Sequence, residues 1–200
     1  MSRIGVLALQ GDVREHIRSI EECGAIAFPV KSVAELATCD GLIIPGGEST
    51  TIAKLARNFE LFDPLKAAIK AGLPVYGSCA GMILLADRVL DAMKGQETLG
   101  GIDVTVRRNA FGRQVDSFES EIEFNAPRPF FFNAIFIRAP WVEQVGANVE
   151  VLAKVDGHPV AIRSGNLFAT SFHPELMKDV RIHRYFLDEV VSPLLQRVRK

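Results

Sequence analysis

Cys79 sits in a short window of small residues, Gly77-Ser78-Cys79-Ala80-Gly81. The apolar run Leu73-Pro74-Val75-Tyr76 precedes it and the helix-like run Met82-Ile83-Leu84-Leu85-Ala86 follows. Strand, sharp turn and helix in that order form a nucleophile elbow, which lifts a side chain out of the end of a sheet. Glycines two residues to either side remove the Cβ atoms that so tight a turn would bring into collision. A helix starting just after the cysteine aims free N–H groups at the sulfur. Such groups favour a thiolate and can hold an oxyanion. Taken alone, the window also suits a small buried cysteine.

A thiol nucleophile needs a base, and the base needs a group to orient it. Four histidines are available. His16 and His183 lie in charged helical sequence and read as solvated, and His158 follows an Asp156-Gly157 turn and reads as exposed. His173 differs, because it ends a strand in Phe172-His173-Pro174-Glu175. Proline forces the preceding residue into extended geometry. Residues i and i+2 of an extended segment project to the same side, so Glu175 is placed to hold the imidazole of His173. A second loop, Pro45-Gly46-Gly47-Glu48-Ser49, also follows a strand. Paired glycines let the backbone approach a ligand closely. It lacks the Lys-Ser/Thr pair of a phosphate-binding loop. Beside a thiolate, the N–H of Gly47 becomes a second oxyanion donor with that of Ala80.

The elements that must position these groups follow from the apolar pattern. Ile4-Gly5-Val6-Leu7-Ala8-Leu9, Ile26 to Val30, Gly41-Leu42-Ile43-Ile44 and Val75-Tyr76 are short apolar strands separated by helical segments. Asp12 is placed to cap the first helix, whose Val13, Ile17 and Ile20 share a face. Ser49 or Thr50 opens a helix, and Asp63-Pro64 starts another. Repeated β-α units of this kind predict a doubly wound, mostly parallel α/β sheet flanked by helices. The C-terminal half alternates instead. Ile102 to Arg107, Phe118 to Phe124, Asn133 to Arg138 and Val149 to Val155 read as strands. Asp156-Gly157 and Ser164-Gly165-Asn166 turn the chain into two further strands. Antiparallel strands are therefore expected in this half, closed by a helix from about Asp179 to Leu195. An open sheet binds ligands beyond the carboxyl ends of its strands, which is where Cys79 and His173 both fall.

Composition narrows the function classes. Two hundred residues, 48% of them hydrophobic, are expected to form one domain spanning 1–200 with a sheet buried on both faces. The 23 basic and 24 acidic residues give a net charge of −1, which argues against nucleic acid or an anionic membrane as partner. Three cysteines (Cys23, Cys39 and Cys79) without metal-ligand spacing predict neither a disulfide framework nor a zinc site. No signal-peptide pattern opens the chain, so a cytoplasmic location is expected.

The set of motifs resembles the class I (triad) glutamine amidotransferases. G-x-C-x-G, P-G-G-E-S and H-P-E occur in the family's order. More narrowly, Gly5 to Asp12, Pro45 to Thr51, Arg108-Asn109-Ala110-Phe111-Gly112-Arg113-Gln114, Phe136 to Pro140 and Ser171 to Glu175 resemble the glutaminase subunits of pyridoxal 5′-phosphate synthases. Ser78 departs conservatively from the threonine more usual there. The resemblance implies that Cys79 attacks the side-chain amide of L-glutamine, that His173 carries the proton and that Glu175 orients His173. It implies an oxyanion hole of Gly47 and Ala80, and a substrate site of Gly46, Gly47, Glu48, Arg108, Ile137 and Arg138. It implies no cofactor and no metal.

It further implies a partner: a (β/α)₈-barrel synthase subunit that consumes the ammonia, in a complex of twelve of each subunit. The motifs themselves point the same way. They account for amide hydrolysis and leave no second catalytic cluster to use ammonia, which loses its nucleophilicity when protonated in water. The segment from Gln10 to Glu22 is a candidate docking face. Other readings of the same residues are a cysteine-triad hydrolase such as a γ-glutamyl peptidase, a non-enzymatic scaffold on this fold, and a binding module with a buried Cys79.

Overall fold

The computed structural model describes residues 1–111 and 117–198. Gly112, Arg113 and Gln114 of the Arg108–Gln114 motif lie outside the described residues.

Strands that are apolar at successive positions must bury both faces, and the central strands do. They are β1 (Arg3–Leu7), β2 (Ile26–Val30), β3 (Gly41–Ile44) and β4 (Val75–Ser78). Leu42 and Ile44 enter one core and Ile43 the other; Val75 and Tyr76 divide in the same way. The first core packs under the helices α3 (Ser49–Asn58), α4 (Phe62–Lys70) and α5 (Ala80–Leu85). The second packs against α1 (Val13–Glu22) and the C-terminal helical segment. A short α2 (Val33–Leu36) follows β2, opened by a capping box between Ser32 and Glu35.

Beyond α5 come β5 (Ala86–Leu90), β6 (Ile102–Arg107), β7 (Ser117–Phe124), β8 (Phe130–Ile137), β9 (Trp141–Val145), β10 (Glu150–Val155), β11 (His158–Ser164) and β12 (Leu167–Thr170). The main sheet has the order β10-β11-β12-β4-β3-β1-β2. It is parallel from β12 to β2 and antiparallel at the β11 and β10 edge. The mostly parallel sheet with antiparallel C-terminal strands is the architecture expected from the sequence. A three-stranded sheet, β5-β6-β9, and the β7-β8 hairpin complete it. Among the described residues, no helix is long and apolar enough to cross a membrane.

Several local expectations need correction. The run Met82 to Ala86 is not wholly helical: α5 stops at Leu85, and Ala86 opens β5. The closing helix is interrupted. α6 (Arg181–Tyr185) passes through a π-helical stretch, Phe186–Val191, into α7 (Ser192–Val198). Asp12 occupies the N-cap position of α1 but makes no side-chain cap. α3 does open at Ser49, and the residue before it, Glu48, caps it, its carboxylate accepting from the N–H groups of Thr50 and Thr51.

Candidate active site

β4 and β12 are parallel neighbours, with Ser78 opposite Thr170, so whatever follows each strand emerges at the same edge of the sheet. Cys79 follows β4 and His173 follows β12 within three residues. The N–H of Cys79 donates to the Thr170 carbonyl at 2.8 Å, pinning the two exits together.

Cys79 has φ 49° and ψ −98°, a conformation that a non-glycine residue adopts only under constraint. The constraint is the close packing expected of an elbow. A Cβ on Gly77 would lie 2.5 Å from the carbonyl carbon and oxygen of Gly81, and one on Gly81 would press into the Ile44 carbonyl. Cys79 is 7% exposed, and its thiol points towards the Ile137 carbonyl at 4.0 Å. Ala80 is the first residue of α5, where N–H groups have no intrahelical acceptor.

His173 is buried, and its N–H donates to the Ile135 carbonyl at 2.9 Å. Glu175 reaches it by a route other than an extended strand. Pro174–Leu176 is a 3₁₀ turn, and this turn brings Glu175 Oε1 to 2.7 Å from His173 Nδ1. Glu175 is fully buried and also accepts from Ser78 Oγ at 3.3 Å. A second carboxylate, Asp12 Oδ2, stands 3.5 Å from the same Nδ1. Burial alone would lower the pKa of His173, but hydrogen bonds to Asp12, Cys79 and Glu175 overcome it and push it up to about 12. Burial raises the carboxyl of Glu175, opposed by the hydrogen bond and charge of His173. Asp12, His173 and Glu175 bring three potential metal-donor atoms within 4.8 Å of one another. Both carboxylates face the same ring nitrogen, Nδ1 of His173, which Glu175 holds at the shorter distance.

The glycine loop after β3 lies against this group. A Cβ on Gly46 would collide with the His173 ring, so only glycine lets the loop touch the imidazole. Two contacts tie the loop to the start of α1. The N–H of Asp12 donates to the Gly46 carbonyl at 3.3 Å, and the N–H of Glu48 donates to Gln10 Oε1 at 2.8 Å. Glu48 also accepts from Arg108 at 3.2 Å. Burial works against its charge, but hydrogen bonds from Thr51 and Thr50 bring its pKa down to about 2. Arg108 also donates to Gln96 Oε1 at 2.7 Å, and Gln96 in turn donates to Ser49 Oγ. The structure thus joins Glu48 to Arg108, and the Ile137 carbonyl to Cys79. Ile137 and Arg138 are exposed, Arg138 with φ 43°.

Two histidines expected at the surface lie in the core. His16 and His183 are fully buried, and His16 Nδ1 lies 2.9 Å from His183 Nε2. The signal was present: His16 falls at helical spacing among Val13, Ile17 and Ile20, on the buried face of α1. Burial, then the charges of His183 and His173, hold His16 well below its ordinary pKa, and burial takes His183 down to about 3. His158 is half-buried, stacked on Trp141 with ring centroids 3.7 Å apart. Gln10, Asp12, His16, Ser78 and Gln96 were not singled out as site residues, and each touches the site or a group that does.

A histidine buried neutral has a stability signature. Between its folded pKa and the unfolded 6.5, the unfolded chain binds more protons, so stability is full above about 6.5 and is lost as pH falls towards about 3. His173 has the opposite sign, contributing below 6.5 and losing its contribution as pH rises towards about 12. Thermal unfolding followed across the acid range is expected to show a slope that His183→Gln reduces by up to about 1.4 kcal/mol per pH unit. Equal slopes would mean that His183 is protonated in the folded chain.

Comparison with known proteins places this geometry. A family model described as the SNO glutamine amidotransferase family matches residues 6–192. The chain is 60% identical over 192 residues to the pyridoxal 5′-phosphate synthase subunit PdxT of Parafrankia sp., covering 96% of this chain and 95% of that protein. It is 60% identical over 187 residues to the protein of the same name from Streptomyces coelicolor, covering 94% and 93%. A solved structure described as a glutamine amidotransferase superposes with TM-score 0.88 at 45% identity, covering 94% of this chain and 98% of that one.

Proposed function

Because the chain belongs to the SNO glutamine amidotransferase family, we propose that it is the glutaminase subunit of a pyridoxal 5′-phosphate synthase. It hydrolyses L-glutamine to L-glutamate and ammonia with Cys79 as nucleophile, His173 as base and Glu175 as the group that orients His173. The observation that carries this reading is the meeting of the strained Cys79 with the His173–Glu175 pair, Nδ1 to Oε1 at 2.7 Å, at one edge of the sheet.

The steps follow from the geometry. With the proton of Cys79 carried by His173, the sulfur attacks the amide carbon of glutamine. The oxyanion that forms is received by the N–H groups of Ala80 and Gly47. The imidazolium protonates the leaving nitrogen, the C–N bond breaks and ammonia departs. A water molecule, deprotonated by His173, attacks the thioester, and the C–S bond breaks to release glutamate. Glu175 stays ionised throughout and keeps the Nδ1 proton of His173 in place. Arg108 presents a guanidinium to the substrate carboxylate. Glu48, already held by α3 and Arg108, acts chiefly by positioning Arg108. Gly46, Ile137 and Arg138 complete the wall of the glutamine site, and residues 1–200 form one glutaminase domain.

The synthase subunit that uses the ammonia is a (β/α)₈ barrel, twelve copies of each subunit assembling together. This chain's docking face for it is the stretch from Gln10 to Glu22. The contacts at Gly46 and Glu48 support this choice, since both run to Gln10 or Asp12. A partner seated there would set the oxyanion loop directly, and turnover would then depend on docking. The test is glutamate release from L-glutamine by the chain alone and with a pyridoxal 5′-phosphate synthase barrel subunit. Release that rises on adding the partner is expected. No release in either mixture would overturn the glutaminase reading, and full release by the chain alone would overturn the activation.

A further inference from the structure

Behind Glu175, on the side away from His173, lies the buried pair formed by His16 and His183. His16 Nε2 stands 3.4 Å from Glu175 Oε2, while Oε1 of the same carboxylate holds His173. We propose that His16 is a positioning residue for the triad, presenting an Nε2–H to Glu175, and that His183 fixes His16 in that tautomer. The inference rests on the glutaminase reading above.

Proton placement between the two rings decides what Glu175 meets. The His16 Nδ1 to His183 Nε2 contact of 2.9 Å needs one donor and one acceptor. If His16 Nδ1 carried the proton, its Nε2 would turn a lone pair towards a buried carboxylate oxygen, and Glu175 would face it without a donor. If His183 Nε2 donates instead, His16 Nδ1 accepts and His16 Nε2–H points at Glu175 Oε2. The second placement turns a third donor, His16, towards a carboxylate that His173 and Ser78 already hold. Its cost falls on His183 Nδ1, which is left as a bare acceptor.

Among the described residues, His16 Nε2 and His183 Nδ1 are the buried side-chain nitrogen or oxygen atoms without a hydrogen-bond partner. At 3.4 Å the His16 contact is longer than a hydrogen bond. Catalytic hydrogen bonds of this kind often tighten only when substrate is bound. The titratable groups around the two rings and Glu175 are Asp12, Tyr76, Cys79 and His173. Tyr76 is itself held neutral by burial and by Glu175, and its hydroxyl is engaged with Thr170 rather than with the carboxylate.

The first measurement is the tautomer of His16 by ¹⁵N NMR of the isolated wild-type chain, assigned through His16→Gln and His183→Gln. A proton on Nε2 and a bare Nδ1 are expected; the reverse overturns the proposal. The second is steady-state glutaminase activity with the barrel subunit present. His16→Phe removes the donor while keeping a ring, and kcat is expected to fall about 10- to 100-fold with KM unchanged. Glu175 would then keep its proton to a higher pH, so the acid limb of the kcat/KM profile moves up. His16→Gln, whose amide N–H reaches the place of Nε2, is expected to restore most of the loss. A folded His16→Phe with the wild-type kcat and acid limb overturns the proposal. If His16→Phe does not fold, the wild-type tautomer and the acid limb of His16→Gln still decide it. The tautomer is read without turnover, so a failure of the glutaminase reading shows separately as a wild-type chain that releases no glutamate.

Discussion

Cys79→Ala is expected to abolish glutamate release, with the residual rate at least about 10⁴-fold below wild type. Alanine supplies nothing to form the thioester, and no neighbouring group can stand in. Ser78 is turned to Glu175 and the Phe172 carbonyl. The variant should still fold. Its Cβ occupies the same place, and the strained φ of 49° is imposed by the packing of Gly77 against Gly81 and of Gly81 against Ile44. Glutamine binding should survive, since Arg108 and the glycine loop are untouched. Alkylation provides an independent measure. Burial pushes the Cys39 thiol up to about 11 and raises that of Cys23, so both are thiols at neutral pH and react slowly. Cys79 has a base beside it. Iodoacetamide at neutral pH is therefore expected to label Cys79 ahead of the other two, and labelling should stop glutamate release in proportion. Release by Cys79→Ala at the wild-type rate would remove the thioester mechanism.

What the chain disclosed in advance was what local physics controls. The elbow is legible because a strand, five small residues and an apolar helix admit few other geometries. The parallel half is legible because Gly41 to Ile44 and its counterparts are apolar on both faces. Asp156-Gly157 is legible as a hairpin because it needs two positive φ values, and it has them, at 49° and 81°. The misses have a common cause in tertiary context. β5 is Ala86-Asp87-Arg88-Val89-Leu90, largely exposed and without alternation, and only its pairing with β6 makes it a strand. β9 takes its structure from β6 in the same way. In α1, His16 was judged by its charged neighbours when its spacing with Ile17 and Ile20 placed it inside. Asp12 looked like a cap, but its carboxylate is turned to His173, a residue far away in the sequence. Glu48 also caps α3 and pairs with Arg108, contacts that its place in the glycine loop does not announce. A sequence read locally names the groups that can do chemistry more readily than the groups that hold them.

Glu175→Gln isolates one of those holding groups, and its expected effect is large. The replacement keeps shape and volume but changes which atoms accept. If the amide oxygen faces His173, the Nδ1 proton is still held, but the amide NH₂ then meets Ser78 and His16 where an acceptor stood. If the amide is turned round, its NH₂ faces Nδ1, and His173 must carry its proton on Nε2. In that tautomer it can no longer take the proton of Cys79. Either way the negative charge beneath the imidazolium is gone, and the pKa of His173 falls back from about 12. A loss in kcat of about 10⁴ is expected, the scale reached when the carboxylate of a hydrolytic triad is replaced by its amide. Stability should move far less, because a fully buried carboxylate is itself costly to desolvate. Thermal unfolding close to that of wild type, together with a collapsed kcat, is therefore the signature to seek; an unchanged kcat would remove Glu175 from the triad. The loss should also stop short of complete. Asp12 Oδ2 remains 3.5 Å from Nδ1 and retains part of the interaction. Adding Asp12→Asn to Glu175→Gln should then lower the rate further, whereas Asp12→Asn alone, with Glu175 in place, should cost much less.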